Sequence, residues 1–235
     1  MTNPTTQETL EAHPTALKSN ASVSSIFEAL LKSPADLIET IFQKKNQRAL
    51  GTKLALLTIV GFSIFGATMG SFSWGTQLWS TPLKSVLGIA LSAVICLPSL
   101  YIFAALSGTS LKFDQLALGL AGTLALISAL LLGFTPVLWV FSQSTESAPF
   151  FGFLVILGWL ISLGFGAGFL RKMILQSGTS NKGPLRIWVG IFLFVTLQMS
   201  TSLRPFIGTS ETIFTKEKRF FLEHWCIETF SRNPS

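Results

Sequence analysis

Five apolar runs divide the middle of this chain: Leu54 to Ser71, Val86 to Leu106, Leu116 to Phe141, Phe150 to Leu170 and Leu185 to Leu203. Each is near the roughly 20 residues that a helix needs to cross a hydrocarbon layer about 30 Å thick. Backbone N–H and C=O groups find no water at that depth, so each run must satisfy them within itself as a helix. The fold class that follows is an all-α integral membrane protein, a bundle of five transmembrane helices within residues 51–203. The third run is the longest and predicts a tilt or kink; the fifth has the shortest clean core and predicts partial burial.

Composition agrees. Only 12% of the 235 residues are charged, against about 25% in a soluble domain. Nineteen Gly and six Trp fit a membrane bundle, because Gly is commoner in membrane helices than in soluble ones and Trp gathers at the interfaces. The net charge of +6 is spread along the edges of the apolar runs, which points to anionic headgroups rather than nucleic acid. Cys96 lies mid-span and Cys226 in the tail, so no disulfide is expected and Cys96 reads as a small packing side chain.

The flanks are different in kind. Residues 1–22 form a polar tail without the apolar core of a cleaved signal, and read as disordered. Residues 23–50 predict two short amphipathic helices. Ser25 with Glu28, and Ser33 with Asp36, have the spacing of a capping hydroxyl and an acid three residues on, and Pro34 suits a first helical position. Ile26, Phe27, Leu30 and Leu31 make one apolar stripe and Leu37, Ile38, Ile41 and Phe42 another, fit to lie on a membrane or dock on a partner. In the C-terminal tail, 204–235, Phe220, Phe221, Leu222, Trp225 and Phe230 alternate with Lys216, Glu217, Lys218 and Arg219, a third amphipathic helix.

Basic residues set the orientation. Lys44, Lys45, Arg48 and Lys53 precede the first run, Arg171, Lys172 and Lys182 fall between the fourth and fifth, and Arg186 stands at the very start of the fifth. The connection Ser142 to Pro149 has none. The positive-inside rule then puts the N-terminus in the cytoplasm and the C-terminus on the periplasmic side of a bacterial inner membrane. The tail opposes this with Arg204, Lys216, Lys218, Arg219 and Arg232.

Small residues mark where helices approach. Gly66 and Gly70, and Gly164 and Gly168, are four apart, and Gly88, Ser92 and Cys96 form a ridge along the second run, the spacing that lets backbones come close. Pro98 and Pro136 each remove a donor and free the carbonyls of Val94 and Leu132, so helix kinks are expected there.

No Asp, Glu, Lys, Arg or His lies in the interior of a run; Lys84 and Asp114 stand at the margins. Ion-driven transport needs such groups within the membrane, and an intramembrane metalloprotease needs a His/Glu ligand set. His13 and His224 lie in the two tails. Glu223, His224, Cys226 and Glu228 are close in sequence, but His224 and Cys226 are two apart and point to different helix faces. No catalytic residue, cofactor or metal is expected, and the chain does not read as an enzyme.

The last run ends in Leu197-Gln198-Met199-Ser200-Thr201-Ser202-Leu203-Arg204-Pro205-Phe206-Ile207-Gly208. With Phe220-Phe221, and with Leu97-Pro98-Ser99-Leu100-Tyr101 and Ser107-Gly108 earlier, it resembles the signature of a bacterial family of five-span inner-membrane proteins over residues 50–222. Some members of that family carry an actin-binding WH2 label. Leu31-Lys32-Ser33 departs from the Leu-Lys-Lys-Thr type motif that such a label requires, so actin is not an expected partner. In topology, and in a proline in the second span, the chain is also similar to the Yip1 family of membrane trafficking and shaping proteins. Neither resemblance implies a catalytic site.

Two functions follow as expectations. One is a non-enzymatic scaffold or accessory subunit of a larger membrane assembly, with the lipid bilayer and other membrane subunits as partners. Its interface or lipid-contact candidates are Arg204, Pro205, Phe206, Gln198, Gly66, Gly70, Gly164 and Gly168. The alternative is a permease or channel-type component for an uncharged or lipidic substrate, with Pro98 and Pro136 bending helices around a path. The alternative requires a cavity in the bundle; a bundle packed solid excludes it.

Overall fold

The computed structural model describes residues 22–43, 46–71, 77–145, 147–178 and 183–202. Among them every regular element is a helix: α1 (Val23–Lys32), α2 (Pro34–Phe42), α3 (Gln47–Ser71), α4 (Gln77–Leu106), α5 (Phe113–Ser144), α6 (Ala148–Gln176) and α7 (Gly183–Ser202). Four are long and apolar enough to cross a membrane, over Gln47–Ser71, Trp79–Leu106, Phe113–Ser144 and Phe150–Gln176, and Gly183–Met199 is a shorter apolar helix.

The long helices run past the apolar segments that announce them. α4 starts at Gln77, well before Val86, and carries Pro82 inside it. Lys84, at a margin by hydropathy, is therefore inside a helix and only 4% exposed. Arg171 and Lys172 belong to the last turns of α6 rather than to a connection.

α3 lies between α4 and α5, α6 packs on α5, and α7 packs on α4. Three glycines set the separations, because a Cβ at each would collide with the neighbour. At Gly61 it would lie 2.7 Å from Ser128 Cβ of α5; at Gly66, 2.7 Å from Pro82 Cα of α4; at Gly166, 2.6 Å from Ile127 Cγ1 of α5. Polar pairs join the two ends of the bundle. Ser71 and Ser142 hydroxyls are 3.2 Å apart where α3 and α5 finish, the far end. At the near end Thr109, after α4, hydrogen-bonds Ser177, after α6.

α5 has 32 residues, about 48 Å at 1.5 Å per residue, longer than a hydrocarbon layer requires. Its first turns are covered by α1 and α2, which pack on α5, α1 also touching α3. Ile26, Ala29, Leu30, Leu37, Ile38 and Ile41 are all buried there, and a Cβ at Gly122 would lie 3.7 Å from Leu37 Cδ2. The buried apolar faces of the two short helices thus pack on this chain's own bundle. Fully burying a Leu or Ile contributes about 1.5–3 kcal/mol, enough to hold a hairpin of this size. Leu31 is left exposed.

Local signals place the short helices. The Ser22 hydroxyl, rather than that of Ser25, caps α1 by accepting the Ser25 amide at 3.2 Å. Ser33 stands at the cap of α2 with Pro34 at the first position, without a side-chain cap bond. Asn46 enters α3 at φ 59°, a left-handed conformation that Asn tolerates better than most residues.

Candidate functional site

The bundle is not packed solid. α3, α4, α6 and α7 enclose an apolar cleft of about 250 Å³. α3 contributes Phe62, Phe65 and Met69; α4 contributes Ser85, Gly88 and Ile89. The walls opposite are Val155, Ile156, Trp159 and Leu160 of α6, and Leu193, Thr196 and Leu197 of α7. The position follows from the packing order: α6 is held by α5 and α7 by α4, and no extensive contact joins α6 to α7. Gly88 leaves the floor low. The lining comes from the second half of α3 and α7 and the first half of α4 and α6, so the cleft lies in the far half of the bundle. Leu160 is 46% exposed, which puts it at a rim open to the side.

The two hydroxyls in the lining bond to backbone. Ser85 Oγ lies 2.9 Å from the Phe62 carbonyl of α3 and 2.8 Å from the Pro82 carbonyl of its own helix. Thr196 Oγ1 donates to the Phe192 carbonyl at 2.8 Å. Neither offers a free donor to a ligand, and no titratable side chain is among the described lining residues. The surface suits hydrocarbon.

No family model, curated protein or solved structure matches this chain. What the cleft does therefore rests on its own chemistry.

Above the cleft, toward the far end, the chemistry changes. Lys84 precedes Ser85, and Thr81 lies one turn earlier on the same face of α4, since positions 81, 84 and 88 repeat at helical spacing. Thr81 is fully buried, and its hydroxyl has no hydrogen-bond partner. Such a group ordinarily finds one. Lys84 is engaged by a further interaction.

A second polar feature holds α7 in place. Trp188 Nε1 donates to the Cys96 carbonyl at 3.2 Å and lies 3.1 Å from Ser99 Oγ. Its ring stacks on Phe192 at 5.4 Å. The Cys96 carbonyl, two residues before Pro98, also accepts from Ser99 Oγ at 2.8 Å. The bonds gather on the Cys96 carbonyl beside Pro98, while the carbonyl that Pro98 deprives of its helical donor is that of Val94.

The candidates from sequence are distributed unevenly. Gly66 meets α4 at the edge of the cleft, and Gly70 is buried near the end of α3. Gly164 and Gly168 face open space; the close contact on α6 is made by Gly166. Gln198 is half-buried at the end of α7, next to Leu197, and is engaged. Pro98 and Pro136 are exposed and do not line the cleft. Arg204, Pro205 and Phe206 lie outside the described residues, as do the C-terminal amphipathic segment and Cys226. Among the described residues no group of three or more His, Cys, Asp or Glu comes together to hold a metal. Trp188, Lys84 and Thr81 were not singled out as site residues; an indole inside an apolar run, whose N–H must find an acceptor, is a signal that could have found the first.

Proposed function

We propose that this chain is a non-enzymatic, five-span protein of a bacterial inner membrane that holds an apolar or lipidic molecule in its lateral cleft, as a permease-type or channel-type component. α7 is the fifth span; its 20 residues rise about 30 Å. The basic residues at the near end support a cytoplasmic near end and an outer C-terminus. The observation that carries the reading is the cleft itself: a hydrocarbon-lined space within the bundle, walled by α3, α4, α6 and α7. Its test is extraction of the purified chain from mild detergent with organic solvent. The chain is expected to release a stoichiometric lipidic molecule, and the variant Gly88→Phe, which fills the floor, to release less. Equal release from both would sink the reading.

A second reading has its own observation. Gly164 and Gly168 present a small-residue notch on the outward face of α6, the surface a helix of another subunit would use. In this reading the chain is an accessory subunit or scaffold, with Arg204 as a further docking point. A pull-down in mild detergent separates the two: Gly164→Ile with Gly168→Ile should release a fixed partner, and Arg204→Ala should weaken its retention. A monomer without stable partners would rule the second reading out.

A further inference from the structure

The outward face of α6 carries a second hollow, apart from the cleft. Gly168, Arg171, Lys172, Leu175 and Gln176 line an open space of about 480 Å³, and because these positions recur at three and four residues they share one side of the helix. We infer that this hollow holds the phosphate of an anionic phospholipid whose acyl chain runs along α6 past Gly164. The inference rests on α6 crossing a membrane, as proposed above, and does not depend on the cleft.

The hollow lies at the level of a phosphate. The apolar run Phe150 to Leu170 rises about 31 Å at 1.5 Å per residue, the thickness of the hydrocarbon layer. Arg171 and Lys172 are therefore the first side chains of α6 to reach the headgroups at the near end. Toward the bilayer centre the same face is apolar: Leu157, Ile161 and Phe165 are exposed, and Gly164 and Gly168 have open space where a Cβ would stand. An acyl chain fits along that row, and the bare backbone at Gly168 leaves room beneath the two cations.

The charges are complementary. Arg171, Lys172 and Gln176 are exposed, and none of their side chains has a hydrogen-bond or ion-pair partner among the described residues. No acidic side chain is among the described lining residues. A guanidinium can fork onto two phosphate oxygens, the ammonium adds a point charge, and the Gln176 amide is a further donor. An apolar helix on this face would instead cover both cations without neutralising them, which is costly.

The test is native mass spectrometry of the full chain in mild detergent, titrated with phosphatidylglycerol and, separately, phosphatidylcholine of the same chains. One cation beside an anionic lipid contributes about fivefold in affinity, so the wild type should prefer phosphatidylglycerol by about 25-fold. Arg171→Gln should lower the preference to about fivefold, and Arg171→Gln with Lys172→Gln should abolish it. Gly168→Leu, which fills the hollow without removing a charge or meeting a neighbour, should lower retention of phosphatidylglycerol. Arg48→Gln with Arg186→Gln removes two exposed cations from other helices and should leave the preference as it was. An unchanged preference in the Arg171→Gln, Lys172→Gln variant, or an equal loss in the Arg48→Gln, Arg186→Gln variant, overturns the site. So does a Gly168→Leu variant that releases a protein subunit and no lipid, the outcome of the accessory-subunit reading. Gly88→Phe, which fills the cleft, should not change the preference; a preference lost there assigns the lipid to the cleft and overturns the site on α6.

Discussion

The indole N–H of Trp188 in α7 donates to the carbonyl of Cys96 in α4 at 3.2 Å, joining two helices through residues 92 apart in the chain. This bond matters because α7 packs extensively on α4 and not on α6. Trp188→Phe keeps the stacking ring and removes the donor, and should cost about 0.6–1.7 kcal/mol. Unfolding in a mixed-micelle denaturant titration checks it; a variant as stable as the wild type would mean that the bond contributes nothing to holding α7.

Two glycine substitutions should behave oppositely. Gly66→Leu drives a side chain into the backbone of Pro82, where even a Cβ would come within 2.7 Å, and should destabilise by about 1–3 kcal/mol as overpacking does. Gly164→Leu meets open space and should leave monomer stability within about 0.5 kcal/mol. Equal effects in the same denaturant titration would contradict the assignment of Gly66 to the α3–α4 contact.

Much of this was legible in the sequence, and the misses have physical causes. Hydropathy located four helices long and apolar enough to cross a membrane, and a fifth, shorter apolar one, because only apolar residues are stable against lipid. It missed their ends: α4 and α5 continue through Lys84 and Gln115, polar residues that are tolerated there because protein covers them. The stripes on α1 and α2 were legible, but their target was not, since a stripe of Leu and Ile is the same whether it meets lipid, a partner or α5. The cleft left no trace in the sequence. Its walls are Phe, Leu, Ile and Val from four helices, the same residues that face lipid elsewhere, and a gap is a property of packing order.

The N-terminal hairpin gives a prediction of its own. Ile38 and Ile41 are fully buried, and Ile38→Ala should destabilise the docked α2 by about 2–5 kcal/mol. Limited proteolysis near Ser33 should become faster while the long helices stay intact. No change in cleavage would show that the hairpin is held by something other than this face.

On the exposed side of α1, Lys32 Nζ lies 2.8 Å from Glu28 Oε1. Lys32, through its hydrogen bond and then its charge, holds the Glu28 carboxyl below its ordinary range, and Glu28 holds Lys32 above its own. The Glu28 contribution is present above the unfolded carboxyl pKa and is lost as pH falls through the lowered folded value. The Lys32 contribution is present below the unfolded lysine pKa and is lost as pH rises through the raised one. Lys32→Gln should therefore return the Glu28 titration, followed by carboxyl NMR, toward the ordinary carboxylate range; an unmoved curve would mean that the pair does not form.

The central claim, a lipid chain within the bundle, is tested most directly through Trp159, which lines the cleft. The measurement is its fluorescence in vesicles of brominated-chain lipid, taken as wild type minus Trp159→Phe. A lipid chain in the cleft should quench that share strongly, and Gly88→Phe, which fills the floor, should relieve the quenching. A Trp159 share that is unquenched, or quenched equally with the floor filled, would contradict a chain bound in the cleft.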